Sequence, residues 1–331
     1  SVDHERFMRR ALELAERGRY SVSPNPMVGC VLVRDGKIIG EGWHQRAGES
    51  HAEVNALQSC DDPRGATMYV NLEPCVHQGR TPPCSRAIRD AGIKRVVIAT
   101  SDPHDVVNGR GIEELQAETG VLEFEARRLN EKFFYAITAK KPFVCLKAAI
   151  TLDGKLATVA RESRWITSEA ARQKSLELRE EYDAILIGGG TVFEDNPQLT
   201  RRLGWNTSIT PWTRVVLDRD QRVPPTARVL ADGGATLHIT DDIDLDRLLG
   251  DLYRRGIQSL IVEGGAVVLS EFVRRRQWQK MIVFVAPALI GGGEAPAIFS
   301  GEAVQRLTDA YRFRFDRVEL VGGDLMITAY P

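Results

Sequence analysis

The chain of 331 residues is 43% hydrophobic and 27% charged, the make-up of a globular protein with room for two cores, since single cores rarely grow past about 250–300 residues. Lysine and arginine number 44 against 45 aspartates and glutamates, a net charge of -1 that argues against a nucleic-acid-binding surface. The longest apolar run, MIVFVAPALI, is far short of the roughly 20 residues of a membrane span, and the opening SVDHERFMRRALELAERG reads as a charged helix rather than a signal core, so no membrane association and a cytoplasmic location are expected.

Helical spacing of Phe7, Leu12, Leu14 and Ala15 opens the chain and ends at Gly18. VGCVLVRDGKIIGEGWH reads as a strand pair, with Asp35-Gly36 favouring a type I′ hairpin turn. A helix over HAEVNALQSC, a strand over ATMYVNLEP, a cysteine-bearing loop, a helix over CSRAIRDAG and a strand over RVVIATSDP follow. GIEELQAETGVLEFEA continues an alternation that implies a layered α/β domain. LNEKFFYAITAKKP has the composition of a junction, which places a boundary near Lys141. The second half restarts with the strand FVCLKAAITLDG, a helix from Ser168 to about Glu181 and the strand AILIGGG. The polar loop TVFEDNPQLTRRL, the strands TRVVLD and ATLHIT, the helix DLDRLLGDLYRRG and the strand SLIVEGG come next. MIVFVAPAL and LMITAYP close a second α/β unit with a mixed sheet. No repeat of about 20–50 residues and no low-complexity tract is present, so solenoid arrays and disordered arms are not expected.

SHAEVNAL puts His51 and Glu53 two positions apart at a predicted helix start. A lone H-x-E is common on exposed helix turns, so the pair needs a second signal. NLEPCVHQGRTPPCSRAI supplies one: Cys75 and Cys84 each follow a proline, with eight residues between them. Five cysteines, a low and odd count, fit reduced thiols better than a disulfide framework, so clustered cysteines read first as ligands. Two thiolates and one imidazole leave a tetrahedral Zn²⁺ one open position, as a catalytic site requires. Glu53, beside the metal without ligating it, is placed to carry a proton from water to a ring nitrogen and a leaving amine. H-x-E followed by P-C-x-x-C is the pattern of zinc base deaminases. Here eight residues replace the usual two, so Cys75 rides a loop while Cys84 starts a helix whose dipole favours the thiolate. A Cys75–Cys84 disulfide, or a structural zinc completed by His77 or His44, stand as alternatives.

PNPMVGCV, GWHQRAGESHAEV and EPCVHQGRTPPC together resemble the deaminase half of the bifunctional riboflavin-biosynthesis deaminase-reductase family. The long C-x8-C loop carrying G-R-T-P-P is a distinguishing mark of that family within the cytidine-deaminase-like superfamily. The resemblance implies that His51, Cys75 and Cys84 bind zinc, that Glu53 shuttles the proton, that Asn25 and His44 contact the substrate, and that Arg80 approaches its ribose phosphate. Without the family, Asn25 reads equally as a turn residue before Pro26, His44 as a strand-end surface histidine and Arg80 as a solvated loop charge.

Two strand-then-glycine turns, AILIGGGTV and SLIVEGGAV, are able to bring backbone N–H groups to a phosphate, although neither is the G-x-G-x-x-G of a Rossmann fold. LKAAITLDGKLAT, ESRWITSEAAR, TVFEDNPQLTRR and VEGG occur in the order seen in the reductase domain of the same family, which has a dihydrofolate-reductase-like fold and uses NADPH. By that resemblance Ala149, Trp165, Thr191, Asp195 and Glu263, Gly264 and Gly265 lie along the cofactor. Ser163, Arg179, Leu199 and Arg202 line the phosphoribosyl substrate, which Glu263 also reaches. Lys147 and Asp195 are the candidates for positioning and protonation in the reduction. Core packing is the plain alternative for Trp165, and a strand-edge charge for Lys147. Thr151 stands where the family often has serine and keeps the hydroxyl.

The expectation is an N-terminal cytidine-deaminase-like three-layer α/β/α domain over 1–141 and a C-terminal dihydrofolate-reductase-like α/β domain over 142–331. One Zn²⁺ and NADPH serve two steps on small phosphoribosyl pyrimidines: hydrolytic deamination, then reduction of ribosyl to ribityl. A homo-oligomer assembled through the reductase domain is expected from the family. The rivals are another zinc deaminase, for a free nucleoside or a tRNA base, fused to a similar reductase, and a non-catalytic zinc knuckle on a nucleotide-binding scaffold.

Overall fold

The computed structural model describes residues 3–331; Ser1 and Val2, which begin the expected opening helix, lie outside the described residues. The chain folds into two units, one running up to Lys140 together with Asn206–Thr210, the other comprising Lys141–Trp205 and Pro211–Pro331. No helix among the described residues is long and apolar enough to cross a membrane.

The first unit runs α1 (His4–Glu16), β1 (Gly29–Arg34), β2 (Lys37–Trp43), α2 (Ala52–Gln58), β3 (Thr67–Leu72), α3 (Cys84–Asp90), β4 (Arg95–Thr100), α4 (Arg110–Leu115), β5 (Glu118–Thr119), α5 (Glu123–Leu129) and α6 (Glu131–Ala139). Its five-stranded sheet has the order β2-β1-β3-β4-β5. Asp35 and Gly36 both take positive φ, 53° and 72°, as the expected hairpin turn requires. Strand alternation makes two cores. Val31, Val33, Tyr69, Val97 and Ala99 pack on α1, and Leu32, Met68, Val70, Val96 and Ile98 pack on the side of α2 and α3. The sheet thus lies between two helical layers. The stretch expected as a junction instead forms α6, because its FFYAI run buries Phe134 and Ala136 and the turn ends only at Lys140 with φ 58°.

α2, which carries the H-x-E pair, lies almost on the backbone of β2. A Cβ built on Gly42 would come within 2.4 Å of the Ala56 nitrogen and 2.7 Å of the Ala52 carbonyl oxygen. Gly42→Ala therefore has to push α2 off the sheet, and a loss of about 1–3 kcal/mol is expected from such overpacking. The check is thermal unfolding of the full chain: Gly42→Ala should melt earlier than the parent, and an unchanged melting temperature would contradict so close an approach.

The second unit runs β6 (Phe143–Thr151), α7 (Glu169–Glu181), β7 (Ala184–Gly188), α8 (Gly189–Asp195), β8 (Thr213–Leu217), α9 (Arg228–Ala231), β9 (Thr236–Ile239), α10 (Leu245–Arg254), β10 (Ser259–Val262), α11 (Ala266–Arg274), β11 (Lys280–Ala286), β12 (Arg314–Val321) and β13 (Asp324–Tyr330). Its eight-stranded sheet has the order β12-β13-β11-β6-β10-β7-β8-β9. β11 through β9 in that order are parallel, and β13 and β12 add antiparallel, giving the expected mixed sheet. Val144 and Leu146 of β6 and Leu260 and Val262 of β10 meet Leu248, Leu252 and Phe272 in the core. The stretch expected as a polar loop begins instead with α8. Besides Gly189, only Val192 of that helix is buried, so it shows no amphipathic period to read.

Candidate active sites

The first site forms where α2, α3 and the loop after β3 meet. His51 is the N-cap residue of α2, and Cys84, preceded by the N-cap Pro83, is the first residue of α3. The donor atoms of His51, Cys75 and Cys84 all lie within 4.8 Å of one another. His51 Nδ1 is 3.1 Å from Cys84 Sγ and 3.8 Å from Cys75 Sγ, and the Cys84 N–H donates to Cys75 Sγ at 3.2 Å. Such spacings suit the edges of a tetrahedron around an ion with bonds of about 2.0–2.3 Å. Every cysteine is a free thiol, so the Cys75–Cys84 disulfide is not formed. Neither His44 nor His77 joins the donor cluster among the described residues, so the closed four-ligand alternative finds no fourth donor there.

Two thiolates this close repel, so without a cation one sulfur keeps its proton. Cys75 is held down to about 4, first by its hydrogen bond with Cys84 and then by His51, while that same bond and burial push Cys84 up. A divalent cation removes the conflict by deprotonating both, so the donor set fits zinc. Glu53 is 4% exposed. Burial raises its pKa against the opposing pull of His51, and its carboxyl also hydrogen-bonds Cys84.

His44 lies beside this cluster, its ring centroid 5.6 Å from that of His51. It is 3% exposed, which removes the surface-histidine alternative, and burial lowers its pKa. The Ser50 carbonyl, which accepts only, lies 3.1 Å from Nδ1, so Nδ1 carries the proton and Nε2 accepts from Asn25 Nδ2 at 3.0 Å. Asn25 and His44 thus come together. Arg80 stays exposed on the loop between the two cysteines.

The second site is a cavity of about 1260 Å³ in the second unit. It exceeds the usual single-ligand pocket of roughly 300–1,000 Å³, so it has room for a cofactor and a substrate together. Lys147, Ala149, Ser163, Arg179, Thr191, Asp195, Leu199, Glu263, Gly264 and Gly265 all line it. Trp165 and Arg202 do not. Trp165 is 67% exposed with the Arg172 guanidinium 4.1 Å from its ring centroid, which rules out core packing, and Arg202 is exposed. Both glycine turns lie in the wall, at the starts of α8 and α11.

A charge cluster anchors this cavity. Arg179 grips Glu263 with Nη2 at 3.0 Å and Nε at 3.4 Å, and Lys147 Nζ lies 3.7 Å from the same carboxylate. Burial alone would raise Glu263, but Arg179 and Lys147 hold it down to about 2. Burial lowers Lys147 against the pull of Glu263. Lys147 sits on β6 in the interior of the sheet, not at a strand edge. Asp195 is raised, first by burial, against Arg164.

Sequence reasoning missed the wall built by Leu217 at the end of β8 with Asp218, Arg219 and Arg222 beyond it, and by Ile239 at the end of β9 with Asp241 and Asp242 beyond it. The available signal was their place at the carboxyl ends of parallel strands, where open α/β sheets bind ligands.

Residues 1–100 match the family described as the cytidine and deoxycytidylate deaminase zinc-binding region, and residues 142–327 match the RibD C-terminal domain. The riboflavin biosynthesis protein RibD of Bacillus amyloliquefaciens is 41% identical, covering 99% of this chain and 96% of the relative. That of Aquifex aeolicus (strain VF5) is 40% identical over 97% and 96%. The crystal structure of a diaminohydroxyphosphoribosylaminopyrimidine deaminase/5-amino-6-(5-phosphoribosylamino)uracil reductase from Thermotoga maritima superposes with a TM-score of 0.90 at 38% identity, covering 99% of this chain and 98% of that one. The fold class expected from the sequence holds: a cytidine-deaminase-like domain followed by a dihydrofolate-reductase-like one. With both domain families and full-length relatives in agreement, the chain belongs to the RibD family of bifunctional riboflavin-biosynthesis enzymes, a zinc-binding deaminase joined to a reductase.

Proposed function

We propose that residues 1–141 deaminate 2,5-diamino-6-ribosylamino-4(3H)-pyrimidinone 5′-phosphate, and that residues 142–331 then reduce the ribosyl side chain to ribityl with NADPH. The observation that carries this reading is the convergence of His51, Cys75 and Cys84 beside the buried Glu53, in a chain similar to RibD proteins over its whole length.

His51, Cys75 and Cys84 hold one zinc ion. When bound, zinc lowers the pKa of a coordinated water to about 7. Glu53 accepts one proton at its carboxylate from the attacking water and gives it to the ring nitrogen, then takes the proton left on the added oxygen and gives it to the departing amine, which leaves as ammonia. A carboxyl raised by burial suits both halves of that transfer near neutral pH. Asn25 and His44 hold the pyrimidine, and Arg80, a permanent cation with a fixed donor fork, takes the ribose phosphate.

When bound, NADPH would supply the hydride that goes to the ribose carbon of the substrate as the sugar oxygen takes up a proton. Ala149, Trp165, Thr191, Asp195 and the Glu263–Gly265 turn would hold it, and the backbone N–H groups of the glycine turns would supply donors for phosphate. Ser163, Arg179, Leu199, Arg202 and Glu263 hold the substrate. Lys147 and Asp195 position and protonate the sugar oxygen: burial pushes the ammonium down and the carboxyl up, drawing both towards the operating pH.

Chelation tests the division of labour. Stripping zinc should abolish ammonia release, while NADPH oxidation with already deaminated substrate continues. Loss of both activities, or of neither, contradicts the assignment.

The chain is placed in the cytoplasm, in keeping with its free thiols. It forms a homo-oligomer through the reductase domain, a reading supported by the edge strand β12, which leaves Phe315, Val318 and Leu320 exposed. Leu320→Lys should shift the sedimentation coefficient towards that of the monomer. An unchanged oligomer in this variant would show that β12 is not the contact.

A further inference from the structure

One buried side chain ties the segment carrying Cys75 to the turn after β4. Glu73 is 3% exposed, and its carboxylate accepts four backbone N–H groups. Oε1 takes those of Asp102 at 3.0 Å and Gly109 at 2.9 Å; Oε2 takes those of Gly111 at 2.7 Å and Ile112 at 3.1 Å. The Glu73 N–H donates to the Thr100 carbonyl at 3.1 Å, so both its main chain and its side chain are held by residues 100–112. Between Glu73 and Cys75 stands only Pro74, whose ring fixes φ. From the other side Gly111 presses on this link: a Cβ there would lie 2.5 Å from the Pro74 carbonyl oxygen and 3.0 Å from Glu73 Cγ.

Beyond Cys75 the chain runs through an exposed loop, and it is next tied back to Cys75 only at the start of α3, by the Cys84 N–H to the Cys75 sulfur at 3.2 Å and the Ser85 N–H to the Cys75 carbonyl at 3.1 Å. A ligand set must be held to within about 0.5 Å to favour one geometry. We infer that Glu73 is the positioning residue that sets the Cys75 sulfur at ligating distance from His51 and Cys84, with the start of α4, residues 109–112, as its anchor. The task needs a carboxylate, because an ionised carboxyl offers acceptors on both oxygens. Glutamine would turn an NH₂ group towards two of the four donors and leave them unpaired.

The inference rests on the zinc reading of the site, and the test separates the two. Zinc affinity is measured on the full chain by competition with a chromophoric chelator, and cobalt(II) absorption reports the thiolate geometry, for the parent protein, Glu73→Gln and Gly111→Ala. Both variants should bind zinc about 10–100-fold more weakly, as loss of an outer-shell partner does. Their cobalt bands should shift, with NADPH oxidation on deaminated substrate unchanged. Gly111→Ala carries the test alone if Glu73→Gln does not fold, since it perturbs the same link from a separate segment. Variants that melt earlier yet keep the parent zinc affinity and cobalt spectrum would make Glu73 a stabilising residue only and overturn the inference. A parent protein that binds no zinc would instead remove the zinc reading itself.

Discussion

Glu53→Gln is expected to slow ammonia release by about 10²–10⁴-fold, the usual contribution of a positioned general acid–base. Glutamine keeps the shape and most of the hydrogen bonding of a side chain that is 4% exposed, so α2 and its ligand His51 should stay in place. What it loses is the exchangeable proton. Zinc content and NADPH oxidation on deaminated substrate should match the parent protein, which confines the defect to proton transfer. A variant that deaminates within a few-fold of the parent would show that Glu53 fills space beside the ligands and that another group moves the proton.

Glu263→Gln is expected to destabilise the reductase unit by about 3–5 kcal/mol, because removing one partner of a buried ion cluster strands the others. Here two cations are stranded, Arg179 and Lys147, both packed against the Glu263 carboxylate. The urea midpoint for loss of the reductase-unit fold measures the effect. Its pH dependence has a defined sign. Glu263 is held down to about 2 in the folded chain, whereas an unfolded glutamate titrates near about 4.3. The stabilisation is therefore complete above about pH 4.3 and disappears as pH falls through 2, so the gap between parent and variant should close over that range. Adding Lys147→Met to Glu263→Gln should restore part of the loss by removing one uncompensated charge. A gap that persists unchanged at low pH would contradict the ion-cluster account.

How much of this was legible in the sequence depended on how local the signal was. His51, Glu53, Cys75 and Cys84 fall in two short stretches with rare residue types, so three donors and the neighbouring carboxylate were readable before any fold was known. The Asp35-Gly36 turn and the alternating faces of β1, β3 and β4 were equally local. α8 was not, because with Gly189 and Val192 alone buried it carries no hydrophobic period, and α6 hid in a stretch whose composition resembled a linker. The resemblance named Glu263, Arg179 and Lys147 one by one, but that they form one cluster was out of reach for a different reason. Arg179 and Glu263 are 84 positions apart and Lys147 lies on a third element, so only the parallel pairing of β6 and β10 brings the charges together. The roles of Trp165 and Arg202 came from resemblance alone, and both lie outside the cavity wall. Glu73 gives no local signal, because its four donors come from a segment that no short-range pattern connects to it.

X-ray absorption at the zinc edge of the purified, zinc-loaded chain tests the central claim most directly. The expected spectrum has one zinc per chain with two sulfur neighbours at about 2.3 Å and two nitrogen or oxygen neighbours at about 2.0–2.1 Å, one of the latter exchangeable with a small added anion. Four inert protein donors, or a chain that carries no zinc with Cys75 and Cys84 joined to each other, would contradict it.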